Sequence, residues 1–181
     1  AVGRTTIRNV PDILDVSIMA QLLTRLGCSV EHSPATQTVV IDVPEVIEHR
    51  ADYDLVRRMR ASISVLGPLI ARTGAADVAL PGGDNIGSRG LDMHIAGLER
   101  MGAQVTSEHG YLVVQAAKLH GTHVYLDFPS VGATETLLMA AATAQGTTVI
   151  DNAAREPDIV DIGNFLIEMG AKISGLGSTT I

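Results

Sequence analysis

The sequence predicts an α/β (α+β) fold built from three similar units, with helices at the centre and sheets outside. Three observations predict it. Laying Gly27 on Gly170 without a gap also brings Gly3, Thr5, Ile7, Asn9, Asp15 and Leu23 onto Gly146, Thr148, Ile150, Asn152, Asp158 and Leu166. A third copy shows in Leu98-Glu-Arg-Met-Gly-Ala-Gln-Val105, which matches Leu23-Thr-Arg-Leu-Gly-Cys-Ser-Val30 and Leu166-Ile-Glu-Met-Gly-Ala-Lys-Ile173. Repetition at fixed register is the mark of a fold assembled from one supersecondary unit. The third observation is that two helix-length segments, 62–71 and 132–144, are apolar or small almost all round. Such helices are buried on every side.

Each copy runs in the same order. A β-rich stretch opens it, at 5–8, 78–80 and 147–150. An amphipathic helix follows, over 15–26, 91–101 and 158–169. Apolar residues such as Ile159, Ile162, Leu166 and Met169 recur there at helical spacing. Gly27, Gly102 and Gly170 stop these helices as the residue after the C-cap. Strands are expected next at 28–31 and 104–107, then return strands at 38–42 and 111–115. The units fall roughly at 1–55, 56–126 and 127–181 of a single globule spanning 1–181. By the repeat, Ala1-Val2-Gly3 aligns with Ala144-Gln145-Gly146, the end of a buried helix. The first buried helix and the last strands are therefore expected to lie outside the 181 residues.

Composition narrows the function. At 181 residues and 46% hydrophobic, the chain can bury a core, and 18% charged residues exclude disorder. Aromatics are 3%, so the core is aliphatic. A net charge of −7 argues against general nucleic-acid binding, and any anionic ligand needs locally placed arginines. Cys28 is the only cysteine, which precludes an internal disulfide and fits a reducing cytoplasm. No apolar run is long enough to span a bilayer, so no membrane partner is expected.

The densest chemistry sits in Pro81-Gly-Gly-Asp-Asn-Ile-Gly-Ser-Arg-Gly-Leu-Asp-Met-His94. Its glycines permit positive φ and close approach to a ligand. Arg89 offers a planar fork for phosphate or carboxylate. The helix just after it adds free N–H groups and a favourable dipole for anions. Asp84 places a carboxyl group in the middle. No Gly-Lys-Ser/Thr closes the loop, which excludes a P-loop, and the G-x-G-x-x-G spacing of a dinucleotide site is absent. The stretch reads as an anion-handling loop with a proton-transfer group.

Further strings join it. Met59-Arg-Ala-Ser62, Leu66-Gly-Pro-Leu69, Leu80-Pro-Gly-Gly-x-x-Ile-Gly-Ser-Arg89, Leu91-Asp-Met-His94, Ser130-Val-Gly-Ala-Thr134 and Asn152-Ala-Ala-Arg-Glu-Pro-Asp158 occur together. The combination resembles the bacterial enolpyruvyl transferases (1-carboxyvinyltransferases) that act on UDP-N-acetylglucosamine, across essentially the whole chain. The resemblance implies an inside-out α/β barrel, with two globules of three βαβαββ units each. It implies transfer of the enolpyruvyl group of phosphoenolpyruvate to the 3′-hydroxyl of UDP-N-acetylglucosamine. That is the first committed step of peptidoglycan synthesis, and it needs no metal or organic cofactor. The partner is the second globule of the same enzyme. A related transferase with another acceptor, or a non-catalytic truncated paralogue acting as an association module, is the alternative.

The resemblance also assigns roles. Asp84 stands at the proton donor, a cysteine in most members, so resistance to the thiol-alkylating epoxide fosfomycin is implied. Burial under a closed loop would raise the Asp84 pKa and neighbouring arginines would lower it. Arg60 and Arg89 match arginines that contact the substrates. Leu91, Asp92 and Met93 match the segment lining the uridine, and His94 belongs to the same motif. Ser130, Val131 and Gly132 open a central helix whose free N–H groups suit a diphosphate. Glu156 and Asp158 match polar residues near the sugar nucleotide. Asp92 and Asp158 also suit helix N-termini as such, and Ser130 suits an N-cap. Two positions depart from the pattern: Gly90 replaces a proline, and Phe128 replaces a lysine that often contacts the nucleotide. The Lys-Asn pair of the family precedes the first buried helix and is not among the 181 residues. The chain alone is therefore expected to be inactive.

Overall fold

The structure, a computed structural model, describes residues 2–80 and 90–181. Strand β1 (Gly3–Arg8), helix α1 (Leu14–Arg25) and strands β2 (Ser29–Ser33) and β3 (Thr38–Val43) form the first group. Next come the short helix α2 (Tyr53–Val56), a 3-10 segment at Arg60–Val65, and helix α3 (Leu66–Thr73). They lead to β4 (Ala75–Ala79), α4 (Asp92–Arg100), β5 (Gln104–Glu108) and β6 (Tyr111–Gln115). The last group is β7 (His123–Tyr125), α5 (Val131–Ala141), β8 (Val149–Asp151) and α6 (Pro157–Glu168).

The repeat survives as geometry. The first two sheets share one antiparallel order, β1-β3-β2 and β4-β6-β5. Helices α1, α4 and α6 end in the same way. Gly27, Gly102 and Gly170 have φ of 100°, 94° and 100°. The next residue's N–H, from Cys28, Ala103 or Ala171, reaches back to the carbonyl of Leu23, Leu98 or Leu166. This is the Schellman closure, and its leucines are those of the repeated string. Asn9 and Asn152, also repeat mates, sit at φ 60° and 57°. Asparagine tolerates this left-handed region better than most residues.

Strand β7 has no counterpart in the sequence reading. It pairs in parallel with β8, Val124 opposite Ile150. A lone parallel bridge from Arg50 to Asp77 is the matching contact one unit earlier. Cutting the chain before these segments, rather than at 55/56 and 126/127, keeps each pair within one unit. An antiparallel bridge from Asp151 to Thr180 adds the tail to the third sheet. There Asp151 accepts from the Thr180 hydroxyl and meets the His123 ring, both of which lower its pKa.

Helices α3 and α5 pack together at the centre. A Cβ on Gly67 would fall 2.5 Å from the Thr136 carbonyl oxygen, so glycine lets the backbones touch. Leu66, Leu69, Ile70, Leu137 and Leu138 are buried around this seam with Leu98 and Met101 of the α4 side. The expectation of burial on every side is corrected in one respect. Ala61 and Pro68 stay exposed, and Ser64, Glu135 and Met139 half-buried. No element among the described residues covers this strip. The predicted helix over 62–71 also begins as 3-10. Pro68 has no N–H to give the Ser64 carbonyl, so the turn ahead of it lacks an α-helical bond. The Ser62 hydroxyl, buried, donates to Val56 and Met59 carbonyls instead.

Candidate functional site

The N-terminus of α5 presents backbone N–H groups at its first turn. The leading N–H groups of a helix have no intrahelical acceptor, and here they belong to Val131, Gly132 and Ala133. Ser130 is extended (φ −87°, ψ 120°), and its Oγ accepts from Ala133 N at 3.3 Å. The turn is clamped from below. The Thr134 hydroxyl donates to the Ser130 carbonyl at 2.8 Å and accepts from Ala154 N at 3.0 Å. Asn152 Nδ2 donates to the Leu126 carbonyl at 2.8 Å, tying the same loop to the end of β7. The Asn-Ala-Ala string thus holds the α5 entry in place.

Helix α4 brings His94 to that entry. The ring is only 4% exposed, and among the described residues neither nitrogen has a partner of good hydrogen-bond geometry, although the Gly132 backbone lies close to it. Burial, and then the Arg60 guanidinium, lower its pKa to about 4, while the Gly132 backbone beside it pulls the other way. His94 is therefore neutral at pH 7 and has unspent donor and acceptor capacity. Arg60 opens the 3-10 segment. A Cβ on Gly90 would collide with the Asp92 carboxylate, so this glycine lets Asp92 fold back over the start of α4.

These groups border a cavity of about 750 Å³. Of the residues predicted from sequence, it brings together Arg60, Asp92, Met93, His94, Ser130, Val131 and Gly132. Leu91 is not among its lining residues. Its side chain is 8% exposed and belongs to the hydrophobic core. Glu156 and Asp158 lie at the start of α6, exposed and outside the lining. Glu156 accepts from Arg155 N at 2.9 Å. Asp84 and Arg89 lie outside the described residues.

The cavity also holds residues that sequence reasoning did not assign to the site, and Phe128, which it had noted as a departure at a nucleotide-contacting position. Asp15, Arg58, Asp127 and Phe128 line it, as do Ser64 and Glu135. Glu135 had a visible signal, as the lone carboxylate in an apolar helix. Burial raises its pKa, the Ser64 hydroxyl at 3.4 Å lowers it, and the Asp158 charge raises it again. Among the described residues no three His, Cys, Asp or Glu side chains are placed to hold a metal ion. No described helix is long and apolar enough to cross a membrane.

Residues 1–181 match the family described as EPSP synthase (3-phosphoshikimate 1-carboxyvinyltransferase). Among curated proteins, the UDP-N-acetylglucosamine 1-carboxyvinyltransferase of Corynebacterium jeikeium (strain K411) is 57% identical over 181 residues, covering 100% of this chain and 43% of that protein. The protein of the same name from Nocardia farcinica (strain IFM 10152) is 56% identical over 185 residues, again covering 100% and 43%. The chain thus spans less than half the length of these relatives. In solved structures, the enolpyruvyl transferase NikO from Streptomyces tendae superposes with a TM-score of 0.85 at 23% identity, over 99% of this chain and 42% of that one. EPSP synthase from Acinetobacter baumannii gives 0.76 at 19% identity, over 99% and 41%. At such identities the likeness is one of fold.

Proposed function

Because this chain belongs to the EPSP synthase family of carboxyvinyltransferases, we propose that it is the nucleotide-sugar globule of an enzyme that moves the enolpyruvyl group of phosphoenolpyruvate to the 3′-hydroxyl of UDP-N-acetylglucosamine, releasing phosphate and committing the sugar to peptidoglycan. The observation that carries this reading is the convergence of Arg60, His94 and the capped start of α5 on one cavity. A diphosphate seated there meets backbone N–H groups and a helix dipole. His94 supplies a neutral donor or acceptor. The names of the relatives support UDP-N-acetylglucosamine as the acceptor.

The reaction adds, then eliminates. The 3′-hydroxyl gives up its proton to a base as its oxygen attacks C2 of phosphoenolpyruvate, while an acid delivers a proton to C3, giving a tetrahedral phosphate ester. Loss of a proton from C3 then expels phosphate and restores the double bond. Asp84 is the proposed acid for the first step, and Arg89 the proposed partner of the phosphate. Ser130, Val131 and Gly132 bind the diphosphate in this reading. Asp92 and Met93 border the uridine in this reading, while Leu91 belongs to the core. Glu156 and Asp158, outside the cavity lining, are the proposed contacts for the sugar. A second globule completes the site in the whole enzyme.

The test is phosphate release by the complete enzyme with both substrates. Replacing Asp84 by Ala is expected to lower turnover by ~10²–10⁴-fold, the usual contribution of a general acid. Full activity in Asp84→Ala would remove Asp84 from the mechanism.

A further inference from the structure

Glu135 is the one carboxylate within α5. It stands four residues after Val131, so the two share a helix face about 6 Å apart along the axis, and both line the cavity. Its side chain is half-buried, whereas Asp15, Asp92 and Asp127 on the same cavity are exposed to water. A carboxylate withdrawn from water needs hydrogen-bond donors, and it has room for about four. Among the described residues the donor it meets is the Ser64 hydroxyl, at 3.4 Å, which is long for an O–H···O bond. Ser64 belongs to the 3-10 segment on the facing wall. Glu135 thus lines the cavity with acceptor capacity to spare, one turn inward from the helix start. The Asp158 charge is felt at the same carboxyl group. Two negative charges repel a phosphate, so the group that satisfies Glu135 is a neutral one bearing O–H or N–H.

We propose that Glu135, set beside Ser64, accepts a hydrogen bond from a hydroxyl or amide N–H of the acceptor's sugar, which makes it a specificity-determining residue for the sugar half of that substrate. This rests on the reading of the cavity as a nucleotide-sugar site. With the diphosphate on the first turn of α5, the hexose is the next group along, and its ring bridges the one turn to Glu135. A half-buried carboxylate discriminates strongly here, because a ligand without the donor leaves it unpaired. The nucleotide half makes no use of Glu135. The two halves are therefore separable by experiment.

The experiment measures the affinity of the complete enzyme for UDP-N-acetylglucosamine and, separately, for UDP. Glu135→Val is expected to weaken UDP-N-acetylglucosamine by between about 10-fold and 150-fold, the span of a hydrogen bond to a charged group. It should leave UDP within about twofold, because UDP lacks the hexose and loses no such bond. Glu135→Gln has the same size and exchanges the charged acceptor for a neutral one of about half the strength. It should fall between the two, about 3-fold to 12-fold weaker for UDP-N-acetylglucosamine and unchanged for UDP. Glutamine decides the matter alone if the valine variant does not fold. The assignment is overturned if either folded variant binds UDP-N-acetylglucosamine like the unchanged protein. It is equally overturned if UDP weakens as much as UDP-N-acetylglucosamine, the result expected if Glu135 serves only the packing of α5. If the unchanged protein binds no UDP at all, the nucleotide-sugar reading falls, and this assignment with it.

Discussion

His94 Nε2 stands 3.3 Å from the point that a Cβ on Gly132 would occupy. This approach joins the first turns of α4 and α5, and it places a buried imidazole against the start of α5. Alanine at 132 would need the ring to move by a few tenths of an ångström. Alanine favours a helix by up to ~1 kcal/mol over glycine, which offsets the crowding. Gly132→Ala should therefore change stability by less than about 1 kcal/mol while weakening UDP-N-acetylglucosamine by on the order of tenfold. Titration calorimetry beside a denaturant melt separates the two. Unchanged affinity would show that the His94–Gly132 approach does not matter to the ligand.

His94 also sets a pH dependence. Its folded pKa is lowered from 6.5 to about 4, mainly by burial and then by Arg60. Below about pH 6.5 the unfolded chain takes up a proton that the folded ring refuses. Stability therefore falls as pH drops from 6.5 toward 4, and the loss levels off once the folded ring protonates. The full window is worth on the order of 3 kcal/mol. Glu135 works in the opposite direction, since its raised pKa favours the folded state as pH falls. The difference in unfolding free energy between the unchanged protein and His94→Gln, followed over pH 7 to 4, isolates the histidine. Parallel curves would contradict the assignment.

The central seam predicts a steric effect. A Cβ at Gly67 would fall 2.5 Å from the Thr136 oxygen, and one at Gly97 would fall 2.6 Å from Leu137 Cδ1. Thr136 presents backbone, and Leu137 is fully buried. The Thr136 backbone cannot yield without moving a helix, and the buried Leu137 side chain yields only by repacking the core around it. Gly67→Ala and Gly97→Ala should each destabilise by ~1–3 kcal/mol through overpacking, despite the helix preference of alanine. Denaturation midpoints check this, and a stabilised variant would show the seam to be looser than described.

The Asp84 assignment predicts a drug response. A carboxyl group is a far weaker nucleophile toward an epoxide than a thiolate. The complete enzyme should resist inactivation by fosfomycin, and Asp84→Cys should become sensitive. Time-dependent loss of activity with intact-protein mass measurement reads both. Equal inactivation of the two would place the reactive group elsewhere.

Much of the fold was legible because its constraints fall on single residues. Gly27, Gly102 and Gly170 mark helix ends that need positive φ, and the leucines they close onto repeat with them. Strand β7 is three residues long, too short for a period to show. The 3-10 start before α3 depends on a missing N–H at Pro68, a local effect that an apolar pattern hides. In the site, motif strings located Arg60, His94 and Ser130. A string does not say which way a side chain turns, so Leu91 was grouped with cavity residues although it faces the core. Glu135 reaches the cavity through the packing of α3 on α5, a tertiary relation, whereas the position of Phe128 was legible from the motif that it departs from.

The capped start of α5, with His94 and Arg60, is the proposed seat of a UDP-sugar. The most direct measurement is acceptor-dependent phosphate release from phosphoenolpyruvate by the complete enzyme. UDP-N-acetylglucosamine and 3-phosphoshikimate, the substrate that names the family, are offered in parallel. Turnover is expected with UDP-N-acetylglucosamine, with competition by UDP, and none with 3-phosphoshikimate. Turnover with 3-phosphoshikimate that UDP does not inhibit would contradict that proposal.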